Sequence, residues 1–286
     1  MAYYSFSGHE SFACKSLWLK KGYDFVVQKR DFNAPDAVIH LGVGKNMVTS
    51  IRYWLKVCGI YENNNITDLG HYLFDDQDGK DPYLEDLATL WLLHFNLVFG
   101  SQASIYHIFF CEFQRERTHF TKELLVSHIK YKLNDEGLKN SYNENTVKKD
   151  TDVLFHTYAL PRKPQSNEDF SALFIDLDLL RISDNNKEYY FNTEGKRRIP
   201  MQIFLYALSK LREKENDNTL PYDDIRHYIG MPFCMTDAEI IDMLKQLSYR
   251  YSDYVAYSDE AGIRQIQFIK DIASETILND YYEASI

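Results

Sequence analysis

The 286-residue chain is best approached through what it has little of. Its four cysteines, Cys14, Cys58, Cys111 and Cys234, lie far apart with no C-x-x-C pair. That spacing argues against a zinc site, and the apolar or aromatic neighbours of each predict buried free thiols. Neither a metal nor a cofactor is expected. No apolar run approaches the roughly 20 residues of a membrane span, and the start, Met1-Ala2-Tyr3-Tyr4-Ser5, lacks an apolar signal core. The expectation is a cytoplasmic protein with no membrane partner. Positive charge is scarce too: 32 Lys and Arg stand against 42 Asp and Glu, a formal net charge of −10. A protein that coats DNA indiscriminately needs the opposite balance, because non-specific affinity comes from neutralising phosphates. The phosphate-binding loop G-x-x-x-x-G-K-[ST] is also missing. Val43-Gly44-Lys45-Asn46 approaches it, but Ile39 stands where the leading glycine belongs and Asn46 where the magnesium-binding hydroxyl belongs.

What is present is aromatic and unevenly charged. With 22 Tyr and 18 Phe the cores should be aromatic-rich, and the length suits two or three small domains. Through residue 60 there are eight basic residues against four acidic ones, so that segment carries +4 and the remainder −14. A basic module on an acidic body suits site-restricted binding; a solvated face of two helices would look the same.

The stretch 34–74 organises that module. Residues 34–40 read as a short helix opened by Pro35, and Leu41-Gly42-Val43-Gly44 breaks it with two glycines. From Lys45 helical spacing resumes, with Met47, Ile51, Trp54 and Leu55 on one face and Lys45, Asn46, Thr49, Arg52 and Lys56 largely off it. Gly59 suits a helix end, and Ile60-Tyr61 and Ile66-Thr67 predict a small hairpin across Glu62 and three asparagines, before a helix over 68–74. This is the order of a winged helix-turn-helix, whose second helix enters a DNA major groove.

A similar order recurs twice along the chain, which predicts a mainly α protein with small β-hairpins (α+β), built of tandem winged helix-turn-helix-like units around a helical scaffold. The expected parts are 1–80, 81–199 and 200–286. Ser11 is placed to cap a helix over 14–28, Pro82 to open an apolar helix to about Phe99, with His94 a hydrogen-bonded core histidine. In the second part Thr121 and Asn145 are expected helix caps, 161–169 a loop, and 180–182 with 188–191 a hairpin. In the third, 200–211 and 237–249 read as helices, 213–219 as a charged linker, and 254–257 with 265–269 as a hairpin. There Asp237, Glu239 and Asp242 stand where a reading helix would carry lysines, so this unit is assigned to protein contact or to a homodimer.

Ser7-Gly8-His9-Glu10-Ser11-Phe12, Trp18-Leu19-Lys20-Lys21-Gly22, the run 41–55, Tyr83-Leu84-Glu85-Asp86 and Thr89-Leu90-Trp91-Leu92-Leu93-His94 together resemble a bacterial family known as domain of unknown function 4007. Members tend to be encoded near DNA phosphorothioation genes, one of them similar to phosphoadenosine phosphosulfate reductases. The resemblance implies a role in DNA modification or phage defence and supplies no established activity. The chain departs from the family in carrying Ala13-Cys14-Lys15 where a Pro and an Arg would follow Phe12.

The leading reading is a DNA-binding protein, a regulatory or target-recognition component whose partners are double-stranded DNA and DNA sulfur-modification proteins. Asn46 and Arg52 are placed to reach base edges, since Asn suits adenine and Arg suits guanine. Lys45, Thr49 and Lys56 would hold phosphates, Asn64 would touch the duplex from the wing, and Lys20, Lys21 and His9 complete the surface. No catalytic residue is assigned: His9 and Glu10 are neighbours that point apart on extended chain. The alternatives are an adaptor without DNA contact and a nuclease component. A nuclease needs clustered carboxylates, and Asp81, Glu85 and Asp86 come nearest.

Overall fold

The computed structural model describes residues 4–100, 102–138, 142–160, 171–184, 187–194, 199–260 and 262–284. Helices dominate, and three small antiparallel sheets make the architecture a mixed α+β one. The chain divides into two units, Met1–Asn192 and Thr193–Ile286.

In the first unit α1 (Trp18–Val27), α2 (Ala37–Leu41) and α3 (Lys45–Val57) come first. Gly42 ends α2 at φ +60°, a left-handed conformation that any side chain would strain, and this makes the tight turn into α3. The inward face of α3 is Val48, Ile51, Trp54 and Leu55; Met47, expected on that face, is only half-buried. Trp54 is fully enclosed and donates its indole N–H to the Phe12 carbonyl at 3.1 Å. Each such side chain stabilises the fold by about 1.5–3 kcal/mol. Beyond Gly59 the strands β1 (Tyr61–Glu62) and β2 (Asn65–Ile66) pair antiparallel. Asn63 and Asn64 turn between them at φ +48° and +63°, a two-residue connection that asparagine tolerates. Thr67 then caps α4 (Asp68–Phe74), accepting from the Gly70 N–H at 3.1 Å.

The helix α5 (Leu87–Phe99) is buried almost all round, as its composition requires. His94 within it is enclosed, with Nδ1 2.7 Å from the Tyr158 hydroxyl, which is the core histidine expected. Next α6 (Ser104–His107) widens into a π-helical turn over Ile108–Phe113 and closes in α7 (Gln114–Glu116). That turn presents Phe109 and Phe110 to an aromatic core; the Phe109 and Phe191 ring centroids lie 4.7 Å apart. Then β3 (His119–Phe120), α8 (Lys122–Asp135), α9 (Glu144–Tyr158), β4 (Leu180–Ile182) and β5 (Tyr189–Phe191) follow. The three strands form one sheet in the order β3-β5-β4.

The second unit repeats this strand order. It comprises α10 (Met201–Glu215), β6 (Thr219–Pro221), α11 (Tyr222–Ile225), α12 (Asp237–Arg250), β7 (Val255–Glu260), β8 (Ile263–Phe268) and α13 (Ser274–Tyr282). Its sheet runs β6-β8-β7. Asp280 of α13 accepts from Gln202 at 2.9 Å, from Arg250 at 3.1 Å and from the Tyr251 hydroxyl, tying α13 to α10 and the end of α12.

Local expectations fail where tertiary pairing decides. The helix expected from residue 14 starts at Trp18, because Lys15 bridges Ala172 and Leu173 donates to the Cys14 carbonyl at 2.8 Å. Asn143, not Asn145, caps α9, accepting from the Thr146 N–H at 3.1 Å. The 213–219 linker is instead the end of α10 and the start of β6. The expected 161–169 loop lies outside the described residues. All four cysteines are free and buried, as expected. Among the described residues no helix is long and apolar enough to cross a membrane.

Candidate nucleic-acid interface

Helix α3 carries its polar residues outward. Lys45, Asn46 and Thr49 are exposed; Arg52 and Lys56 are half-buried. Lys45 and Lys56 have no carboxylate partner among the described residues, so their charge faces solvent uncompensated. Asn64 sits at the tip of the adjoining hairpin and is exposed. Lys21 is exposed at the edge of this module and donates to the Leu41 carbonyl at 3.1 Å, the end of α2. The structure therefore gathers Lys21, Lys45, Asn46, Thr49, Lys56 and Asn64 on α3, its hairpin and the neighbouring edge of α1.

Arg52 takes a different course. Its guanidinium lies back from the helix surface, Nη1 donating to Asn33 Oδ1 at 3.3 Å and Nη2 to Asn64 Oδ1 at 3.2 Å. Its Nε is buried without an acceptor among the described residues, a state that costs about 1–3 kcal/mol for a polar group. Arg52 lines an open cleft of about 750 Å³ between the end of α1, the loop after it and the hairpin. Lys29, Arg30 and Asn33 line it too, and helical spacing does not single them out. The Lys29-Arg30 pair is a visible signal in the sequence; its approach to Arg52 depends on how the 28–36 segment folds back and is not.

Two residues assigned to the surface are not on it. Lys20 is 7% exposed, and its ammonium is held by Asp24 Oδ1 at 2.6 Å, Asp76 Oδ1 at 2.5 Å and the Phe74 carbonyl at 3.2 Å. Burial alone would lower its pKa, but the hydrogen bonds of Asp24 and Asp76 outweigh that and raise it above the ordinary lysine value. A cation neutralised twice over has no charge left for a phosphate. His9 is 3% exposed. The Ser11 N–H donates to its Nδ1 at 3.1 Å, which places the proton on Nε2, 2.9 Å from Asp150 Oδ1 on α9. Asp150 Oδ2 accepts from the Ser7 N–H at 2.8 Å. The segment is not extended: Ser7, Glu10 and Ser11 have φ of +72°, +48° and +67°. A Cβ on Gly8 would fall 2.6 Å from the Tyr53 ring, so only glycine fits there. This buried pair fastens the front of the chain to α9 and lies out of reach of a duplex.

Two of the three carboxylates that come nearest to a nuclease cluster are used within the fold, and the third, on Glu85, is exposed. Asp81 accepts from the Glu85 N–H at 2.9 Å and the Asp86 N–H at 3.1 Å, and Asp86 caps α5 through the Ala88 N–H at 2.8 Å. No group of three His, Cys, Asp or Glu among the described residues is placed to hold a metal ion.

Fold and surface together define a mainly helical protein with small antiparallel sheets and exposed lysines on α1 and α3. The chain belongs to the family described as "Protein of unknown function (DUF4007)", whose profile matches residues 6–282. Two solved structures resemble it closely. "Magnesium ion-bound SspB crystal structure" matches with a TM-score of 0.85 at 25% identity, covering 98% of this chain and 88% of that one. "SspB crystal structure" matches with a TM-score of 0.83 at 25% identity over the same shares. A comparison with curated proteins finds no relative.

Proposed function

We propose that the protein is a DNA-binding component of a bacterial DNA phosphorothioation or phage-defence system, acting in regulation or target recognition. The observation that carries this reading is the outer face of α3, where Lys45 and Lys56 lack, among the described residues, carboxylate partners of the kind that hold Lys20, Lys122 and Lys132. Helix, glycine turn, helix and hairpin support a winged helix-turn-helix at 1–80. The sheets β3-β5-β4 and β6-β8-β7, each with two helices between its first and second strands, support like units at 81–199 and 200–286. In this reading Asn46 reads a base edge, Lys45, Thr49, Lys56 and Lys21 hold phosphates, and Asn64 approaches from the wing. Likeness to SspB supports the system. The protein would act in the cytoplasm, alongside sulfur-modification proteins, with the C-terminal unit free for protein contact or a homodimer. A shift assay on the full chain with duplex DNA tests it: binding that weakens steeply with salt and is lost in Lys45→Glu/Lys56→Glu supports the reading.

One of the two similar SspB structures is magnesium-bound, which favours a second reading, metal-dependent DNA cleavage. Magnesium-dependent nicking of a supercoiled plasmid by the purified chain would put that reading first.

A further inference from the structure

We infer that the cleft behind Arg52 is an anion site built to take a phosphate group, with the Arg52 guanidinium as its floor. Three half-buried arginines are described, Arg52, Arg181 and Arg212. Arg181 holds Asp178 and Arg212 holds Asp271, whereas Arg52 faces only the neutral amide oxygens of Asn33 and Asn64. Both contacts, at 3.3 and 3.2 Å, are longer than charge-assisted hydrogen bonds. Each amide is oriented from elsewhere: Asn33 donates its side-chain N–H to Asp31 at 2.9 Å, and Asn64 Oδ1 also accepts from the Tyr61 hydroxyl at 3.1 Å. The guanidinium is thus held in place by groups that leave its charge intact. Its Nε–H has no acceptor among the described residues and is closed off from solvent, so the side-on fork of Nε and Nη2 meets two oxygens of a phosphate once the side chain turns from Asn64 toward the cleft.

The surroundings agree in sign. Lys29 lines the cleft with no partner among the described residues, and Arg30 lines it with its Nε on the neutral Gln28. Asp31 is the one carboxylate at the rim among the described residues, and its Oδ1 is occupied by the Asn33 backbone and side-chain N–H groups. The site takes a phosphate monoester or diester oxygen pair, not a base edge. Under the DNA-binding reading the phosphate belongs to a strand lying against the hairpin; that source, and not the site itself, rests on that reading.

The test uses the full ¹⁵N-labelled chain and inorganic phosphate, titrated at constant ionic strength against chloride. The expected result is a saturable shift of the Arg52 Nε–H and of the Asn33 and Asn64 side-chain amide signals. The amide shifts should vanish in Arg52→Lys, which keeps the charge and loses the fork. In Asn33→Asp, which hands Arg52 a carboxylate at an exposed loop, all should vanish. No saturable shift, or amide shifts unchanged in both variants, overturns the proposal. A second arm distinguishes the source: in duplex binding, Arg52→Gln, which removes the charge, should flatten the salt dependence by about one unit of slope if the phosphate is a strand's. Phosphate shifts as expected in a chain that binds no duplex would keep the site, assign it to a free phosphate ester and remove the DNA-binding reading.

Discussion

Helices α3 and α12 each follow a short helix and a turn and each lead into a hairpin, yet their outer faces are built of opposite materials. On α3, Lys45 and Lys56 stand without carboxylates among the described residues. On α12, Asp237 is bound by Arg226 at 2.8 Å and by the Tyr222 hydroxyl at 2.9 Å, and Glu239 completes a capping box with Thr236. Of the second unit's cations, Lys210, Arg212, Arg226, Arg250 and Arg264 each hold a carboxylate, while Lys245 on α12 is exposed and holds none among the described residues. One arrangement recurs with lysines left open along the helix in one place and with carboxylates, most of them bonded, along it in the other. Open charge is what a polyanion needs; closed charge, with Tyr249, Ile263 and Ile269 exposed beside it, suits contact with protein.

The comparison can be broken first at the anchors. Asp150 is buried with His9, whereas Asp280 is 40% exposed on its side chain. Asp150→Ala leaves the buried His9 Nε2–H and the Ser7 N–H without their acceptor and should destabilise the first unit by about 1–3 kcal/mol for each, read as a fall in the denaturant midpoint. The front charges come next. Lys45→Glu with Lys56→Glu should weaken duplex binding about a hundredfold, some 2.7 kcal/mol, with unfolding unchanged. Asp280→Asn should cost about 1 kcal/mol at most, since solvent screens the pair. The Tyr251 hydrogen bond, then those of Gln202 and Arg250, outweigh desolvation and hold the Asp280 carboxyl below its ordinary pKa. Its contribution is therefore present above the ordinary aspartate value of about 3.9 and is lost as pH falls through the lower folded value. Loosening of α13 under acid, followed by amide exchange, should vanish as a distinct step in Asp280→Asn. The smallest effect is expected from Asp237→Asn, which should leave duplex affinity within about twofold.

Much of the front module could be read before folding. Gly42, the apolar spacing of Ile51, Trp54 and Leu55, and Asn63-Asn64 are local signals that suffice for a turn, a helix face and a hairpin. Three things could not be read that way. Strands β3 and β6 are two and three residues long, and they exist because β5 and β8 offer them an edge. The 14–28 helix loses its first turn to pairing with residues 171–173, far along the chain. Lys20 and His9 carry side chains typical of a surface, but Asp24, Asp76 and Asp150 converge on them only in the folded chain. Arg52 lies on the polar face by periodicity, and its retreat into the cleft depends on Asn33, 19 residues earlier.

The most direct test of the central claim is a salt titration of the full chain on duplex DNA, run beside Lys45→Glu/Lys56→Glu. With Lys21, Lys45 and Lys56 as the phosphate contacts, joined by Arg52 where a strand fills its cleft, the logarithm of affinity should fall against the logarithm of salt with a slope of about −3 to −4, and the variant should lose about two units of it. A chain that binds no duplex at low salt, or a variant that binds as tightly and with the same slope as the parent, would contradict it.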